Sequence, residues 1–270
     1  MYRLTSSILR HRGLLATLVA RELKARYRGS VLGYFWSLAN PLLLLAVYSF
    51  VFGVVFKPAR AELTDPYALF LITGLFPWIW VATSLLEGTV SLSANAGLIR
   101  KAVFPVAVLP IVSVLSSLVH FLLALPILGA ALLVGTLLGH QAGGWTVTLL
   151  PVVILLQLPL VGGMTLALAA LNVHFKDVRD LLNNLLTLLF FMTPILYPLD
   201  FVPGGFGMLR SVIRWANPFT PFTLVYQDLL FYGQLPGWSL WVQMALLGGA
   251  SWLVGSWLFT RLSDSLVEAV

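Results

Sequence analysis

Apolar positions along this chain run unbroken for far longer than a globular core allows, and the few polar clusters fall between the runs. Uncharged stretches near the roughly 18–20 residues that cross a bilayer recur. They predict six spans, at about 34–56, 67 to beyond 86 (interrupted by Pro77), 106–132, 148–171, 181–199 and 238–260. A short loop carrying Lys57, Arg60, Glu62 and Asp65 separates the first two. The mixed segment 88–104 has Arg100 and Lys101 as its only charges, and a polar knot, NVHFKDVRD (172–180), precedes the fifth span. Residues 200–237 are rich in Pro, Gly and aromatics, too irregular for a simple span and too apolar for a loose loop.

Ahead of the first span, residues 3–28 read as an amphipathic helix. Leu4, Ile8, Leu15 and Val19 share one face, and Arg3, Arg10, Arg21 and Arg28 share another, the pattern of a helix lying in a membrane interface. Its end is the densest charge in the chain: Arg21, Glu22, Lys24, Arg26 and Arg28, followed by no charge until Lys57. Gly29 and Gly33 let the chain bend from lying flat to spanning, and Pro41 within the first span requires neighbouring helices to satisfy its freed carbonyl.

Composition agrees with a polytopic membrane protein. Hydrophobic residues make up 59% and charged residues 10%, with a mean hydropathy of +0.94, against about 45–50% and about 25% for soluble domains. A net charge of +6 raises the question of nucleic acid. Seven of the sixteen cations precede residue 29, beside the first span, where they fit anionic lipid instead. Lys and Arg on alternate sides of the six spans number 12 and 4, which predicts both termini in the cytoplasm. The start, MYRLTSSILRHRG, breaks its apolar residues with Arg, so the first span is expected to act as its own insertion signal. The lack of Cys removes disulfides, thiolate metal sites and Cys nucleophiles.

The sequence contains no H-E-x-x-H, G-x-S-x-G or P-loop motif and no paired carboxylates inside a span, so it is read as a non-enzyme that holds no cofactor of its own. Ion-coupled transport would need ionisable groups within the spans. The candidates are Glu87, His120 and Asp228, with Glu87 expected where the second span meets the cytoplasm and His120 expected in helix packing. Exposed Leu98, Ile99 and Phe104 flanking Arg100 and Lys101 form a knob suited to a protein groove, although an interfacial turn with positive-inside cations fits equally. The charges His174, Lys176, Asp177 and Arg179 form either a second cytoplasmic contact or a solvated helix end. Tyr34, Tyr48, Phe52 and Phe56 fall on one face of the first span, and Phe190 and Phe191 crowd the fifth. Such rings can stack on the apolar faces of sugars while fixing little charge, and interhelix packing or an interfacial belt explains any one of them as well.

Four motifs in chain order resemble the membrane subunits of ABC-2 type polysaccharide and polyol-phosphate exporters, a group that includes O-antigen, capsule and teichoic-acid permeases, with O-antigen export the nearest match. They are RELKARYRGSVLGYFWSLANPL (21–42), LIRKAVFPVAVLP (98–110), NVHFKDVRDLL (172–182) and NPFTPFTLVYQDLLFYGQLP (217–236). The resemblance implies a single all-α transmembrane domain over 1–270. In it, 1–30 is an interface helix, 34–199 holds spans one to five, 200–237 forms re-entrant gate helices on the outer side, and 238–260 is span six. It further implies a homodimer in the inner membrane, with an ATPase subunit that binds ATP and Mg on each cytoplasmic face and a lipid-linked polysaccharide as cargo. The coupling helix that meets the ATPase maps to Gly97, Leu98, Ile99, Arg100, Lys101 and Phe104, with Pro105 behind it, and the gate to Asn217, Pro218 and Asp228. Two departures from the family pattern stand out. Val106, Ala107 and Val108 replace charged residues between FP and LP, and Gln227 stands where Arg usually precedes Asp228, which weakens a cation pair at the gate. A drug exporter of the same group, or a flippase that needs no ATPase, are the alternatives.

Overall fold

The computed structural model describes residues 6, 10–26, 28–29, 35–56, 64–101, 104–140, 143–202 and 206–269, with the side chains of 37, 38, 101 and 264–269 left aside. Tyr34, Arg3, Leu4 and Ile8 of the sequence reading lie outside these residues, as do Lys57, Arg60 and Glu62. Among the described residues the regular structure is helical. The elements are α1 (Arg12–Arg26), α2 (Trp36–Tyr48), which passes into a π-helix at Ser49–Val55, α3 (Tyr67–Ala94) and α4 (Ala96–Lys101). Then come α5 (Val108–Leu137), α6 (Leu150–His174) with a 3-10 turn at Trp145–Leu149 before it, and α7 (Val178–Met192). The chain ends with α8 (Gly207–Trp215), α9 (Thr220–Leu230) and α10 (Trp238–Ala269).

Four helical stretches are long and apolar enough to cross a membrane: Tyr67–Ala94, Val108–Leu137, Trp145–His174 and Trp238–Ser263. The apolar helix Ala39–Val55 is shorter. Helix α3 is the hub, packed against α5, α6, α9, α2 and α7. Its buried hydroxyls do not need outside partners, because Thr73, Ser84, Thr89 and Ser91 each donate to a carbonyl three or four residues back at 2.6–2.7 Å. That local bonding lets polar residues sit inside an apolar bundle.

Helices α6 and α10 approach so closely that only small residues fit. A Cβ on Gly163 would lie 2.2 Å from the Ser251 carbonyl oxygen, and one on Gly255 would lie 1.9 Å from the Gly163 carbonyl. Ser251 Oγ also donates to the Leu160 carbonyl at 2.7 Å across the same crossing. Backbone contact of this kind replaces the hydrophobic drive that lipid cannot supply.

Several predicted boundaries move. The sequence extends the fifth span to 199, but α7 stops at Met192 because Thr193 precedes Pro194 and adopts an extended conformation (ψ 137°). Helix α3 continues through the segment read as mixed, up to Asn95, whose Nδ2 donates to the Ser91 carbonyl at 2.8 Å. Helix α10 extends beyond 260. Arg21 in α1 and Arg10 and Arg28 beyond its two ends are exposed as expected, while Leu15 and Leu18 are the buried anchors and Val19 only flanks them. Those anchors join Leu92, Ile99, Val108, Leu166 and Phe259 in a second apolar cluster, at the end of the bundle where α3 and α6 finish and α5 begins.

Candidate functional site

At that end of the bundle, the short helix α4 is rooted by the residues expected to be its exposed knob. Ile99 is 8% exposed, and Leu98 and Phe104 are partly buried against the α1 cluster. The expectation of exposure is corrected for these three: an apolar residue beside a cation reads alike whether it faces outward or inward, and here Ile99 belongs to, and Leu98 and Phe104 pack against, the apolar cluster that also holds Leu15 and Leu18 of α1. Gly97 and Arg100 face outward. Pro105 accepts a hydrogen bond from the Val108 N–H at 3.0 Å, which starts α5. The α6–α7 corner carries exposed Lys176, Asp177 and Arg179 around an exposed Phe175. His174 Nδ1 bonds the Ala170 carbonyl at 3.0 Å, and the Asp177 carbonyl receives the Leu181 N–H at 3.0 Å as α7 begins.

Helix α3 continues for about two turns past Glu87 to Ala94, and Glu87 is satisfied within the bundle by an ion pair with Arg26 at the end of α1. Ser117 of α5 donates to the same carboxylate oxygen at 3.4 Å. Arg26 also lines a cavity of about 330 Å³ between α1, α2, α3 and α5, with Trp36, Asn40, Thr83, Ser117 and His120 among its walls. Glu22, one turn before Arg26, has its acidity weakened by burial and by the Glu87 charge, and Arg26 and Arg21 oppose this.

Also along α3, aromatics of the first and fifth spans come together. Phe56 stacks on Phe52 (centroids 5.7 Å apart), Phe52 tilts against Tyr48 (6.3 Å), and Tyr48 stacks on Phe190 of α7 at 5.5 Å. Phe190 meets Phe191 edge-on at 5.2 Å. Trp78 and Phe219 extend the series at 5.9 and 5.4 Å. Two cavities flank the track. One, of about 350 Å³, takes in Tyr48, Trp78, Thr83, Asn183, Thr187 and Phe190. The other, of about 220 Å³, takes in Phe52, Phe56, Tyr67, Phe191 and Tyr197. The sequence reading missed Trp78, Asn183 and Thr187. The two polar residues stand four apart on α7, a spacing that puts them on one helix face.

The segment before α10 is pinned rather than loose. Asn217 Nδ2 donates to Thr193 Oγ1 at 2.8 Å while its Oδ1 accepts the Phe219 N–H at 3.0 Å, so Asn217 closes the turn through Pro218 and Phe219 that starts α9. Tyr226 donates to Gln157 Oε1 at 2.8 Å, Gln227 Nε2 to the Pro194 carbonyl at 2.6 Å, and Thr146 Oγ1 to the Leu229 carbonyl at 2.7 Å. Gln227, which departs from the family pattern, therefore acts as a neutral tie to the end of α7. Asp228 accepts from Gln234 Nε2 at 2.8 Å. Burial raises its pKa above the ordinary 3.8, opposed by that hydrogen bond and by the Arg214 charge. Arg210 pairs with Asp200 nearby.

A bundle with four helices long and apolar enough to cross a membrane is the architecture of a polytopic membrane protein. The chain belongs to the ABC-2 type transporter family, whose model matches residues 13–231. It is 37% identical over 270 residues to the O-antigen export system permease protein RfbA of Myxococcus xanthus, covering the whole of both chains. It is 33% identical over 255 residues, 94% of each chain, to a protein of that name from Klebsiella pneumoniae. The polysialic acid transport protein KpsM of Escherichia coli is 25% identical over 206 residues, 74% of each.

Proposed function

We propose that the chain is the permease subunit of an ATP-driven exporter that moves a lipid-linked polysaccharide, of the O-antigen type, across the bacterial inner membrane. The observation that carries this reading is the aromatic track from Phe56 to Phe190 with Asn183 and Thr187 beside it. It offers stacking faces and hydroxyl partners to sugar rings and almost no charge. Export permeases related along 94–100% of the chain support the same cargo class. The KpsM relative keeps a capsular polysaccharide as the second reading.

Six crossings complete the subunit: the four long helices, α2 with its π-helical continuation, and α7 with the turn after it. Both termini face the cytoplasm, α1 lies in the interface, and α8 and α9 form the outer re-entrant region. Two subunits form the conduit, with α2 and α7 at their junction. A separate ATPase binds ATP and Mg and meets Gly97, Arg100 and Lys101 of α4, with the α6–α7 corner as the second contact. Deleting the chain tests the reading: glycan should accumulate inside the cell and return to the surface on complementation. Surface glycan at normal levels without the chain would refute it.

A further inference from the structure

The ion pair between Arg26 and Glu87 links elements that no other polar contact described above joins. An unpaired carboxylate within a span is costly, so Glu87 holds a partner, and that partner comes from α1. The other anchors of α1, Leu15 and Leu18, share one apolar cluster with Ile99 of α4 and its neighbours Leu98 and Phe104. Helix α1 therefore shares one apolar cluster with α4 and packs directly on α5, while its Arg26 reaches α3 through Glu87, whose carboxylate Ser117 of α5 also bonds. Arg26 also has a second carboxylate in reach of its charge, Glu22 one turn back on its own helix, at the spacing that suits a helical ion pair. One guanidinium thus has two carboxylates within reach of its charge, at the wall of the cavity shared by α1, α2, α3 and α5.

We propose that Arg26 is a positioning residue of the export cycle, a latch that holds α1 on Glu87 in one state and passes to Glu22 in the other. The inference rests on the exporter reading above. Movement of α4 by the ATPase carries α1 through their shared cluster. The guanidinium leaves Glu87, and the cavity opens beside α2. Nothing covalent occurs.

The test uses the permease–ATPase complex with variants R26Q, E87Q, E22Q and the charge swap R26E/E87R, reading complex yield, ATP hydrolysis and glycan export together. R26Q and E87Q should keep the complex and its ATP hydrolysis while export falls about tenfold, within the range of ordinary coupling free energies. The swap should recover most of the export, and E22Q should lower it with the Arg26–Glu87 pair intact. A swap no better than the single variants, or wild-type export in E87Q or E22Q, overturns the latch. Where the swap does not accumulate, R26K decides: it retains the charge and should export more than R26Q, and equal loss overturns the proposal. A wild-type complex that hydrolyses no ATP or exports no glycan would instead refute the exporter reading.

Discussion

Replacing Gly163 with Ala tests the packing that holds the bundle together. The new Cβ would lie 2.2 Å from the Ser251 carbonyl oxygen, 2.3 Å from its carbon and 2.5 Å from the Trp252 nitrogen. All three are backbone atoms, so no side chain can turn aside. Reaching ordinary contact requires α6 and α10 to part by about 1 Å, which also loosens Gly255 on the Gly163 carbonyl and the Ser251–Leu160 hydrogen bond. Overpacking costs about 1–3 kcal/mol, and the upper end applies where backbone meets backbone. Alanine returns about 1 kcal/mol of helix propensity, leaving a net loss of about 2 kcal/mol. For a chain of this size that lowers Tm by about 4–8 °C. Gly249, on α10, is the control: a Cβ added there would meet no atom within 4 Å, and Gly249→Ala should hold or raise Tm. The assay is thermal unfolding of the purified chain in detergent, followed by circular dichroism and size-exclusion recovery. Equal Tm for the two alanine variants would refute the close crossing.

Three other substitutions report on other parts of the molecule. Tyr226→Phe leaves Gln157 Oε1 without its 2.8 Å donor in the core, and should cost about 1–3 kcal/mol in the same unfolding assay; no loss would mean that the bond does not hold α9 on α6. Phe191 is 52% exposed, so Phe191→Ala should change stability by about 0.5 kcal/mol or less while lowering glycan export, and unchanged export would remove it from the conduit. Asp228 has a raised pKa in the fold, so folding takes up a proton between 3.8 and that raised value, and stability increases as pH falls through this window. Asp228→Asn should abolish that pH dependence and raise stability above the window, as read from Tm against pH; an unaltered profile would contradict the assignment.

Much of the molecule was legible in the sequence because membrane spans advertise themselves by length and hydropathy. Rings on the first and fifth spans were legible too, but not the stacking of Tyr48 on Phe190, which joins helices far apart in the chain. The α6–α10 crossing was not legible, because Gly163 against Gly255 is a contact between backbones and leaves no hydropathy pattern. The pairing of Glu87 was hidden for a related reason. Its partner Arg26 is 61 residues away, and a lone carboxylate near a span's end carries no sign of the cation it meets. Likewise Ile99 looked exposed because the apolar cluster that buries it draws on residues far away in the chain, such as Leu15, Leu166 and Phe259. Pro194 could have ended the fifth span on local grounds alone, since the residue before a proline avoids the helical region.

The central claim is most directly tested by vesicles containing the chain with its ATPase partner and a lipid-linked glycan. The account predicts that the glycan becomes accessible to a lectin on the far side only when the chain, the ATPase and ATP are all present. Movement of glycan without the ATPase, or none while the complex hydrolyses ATP, would contradict it.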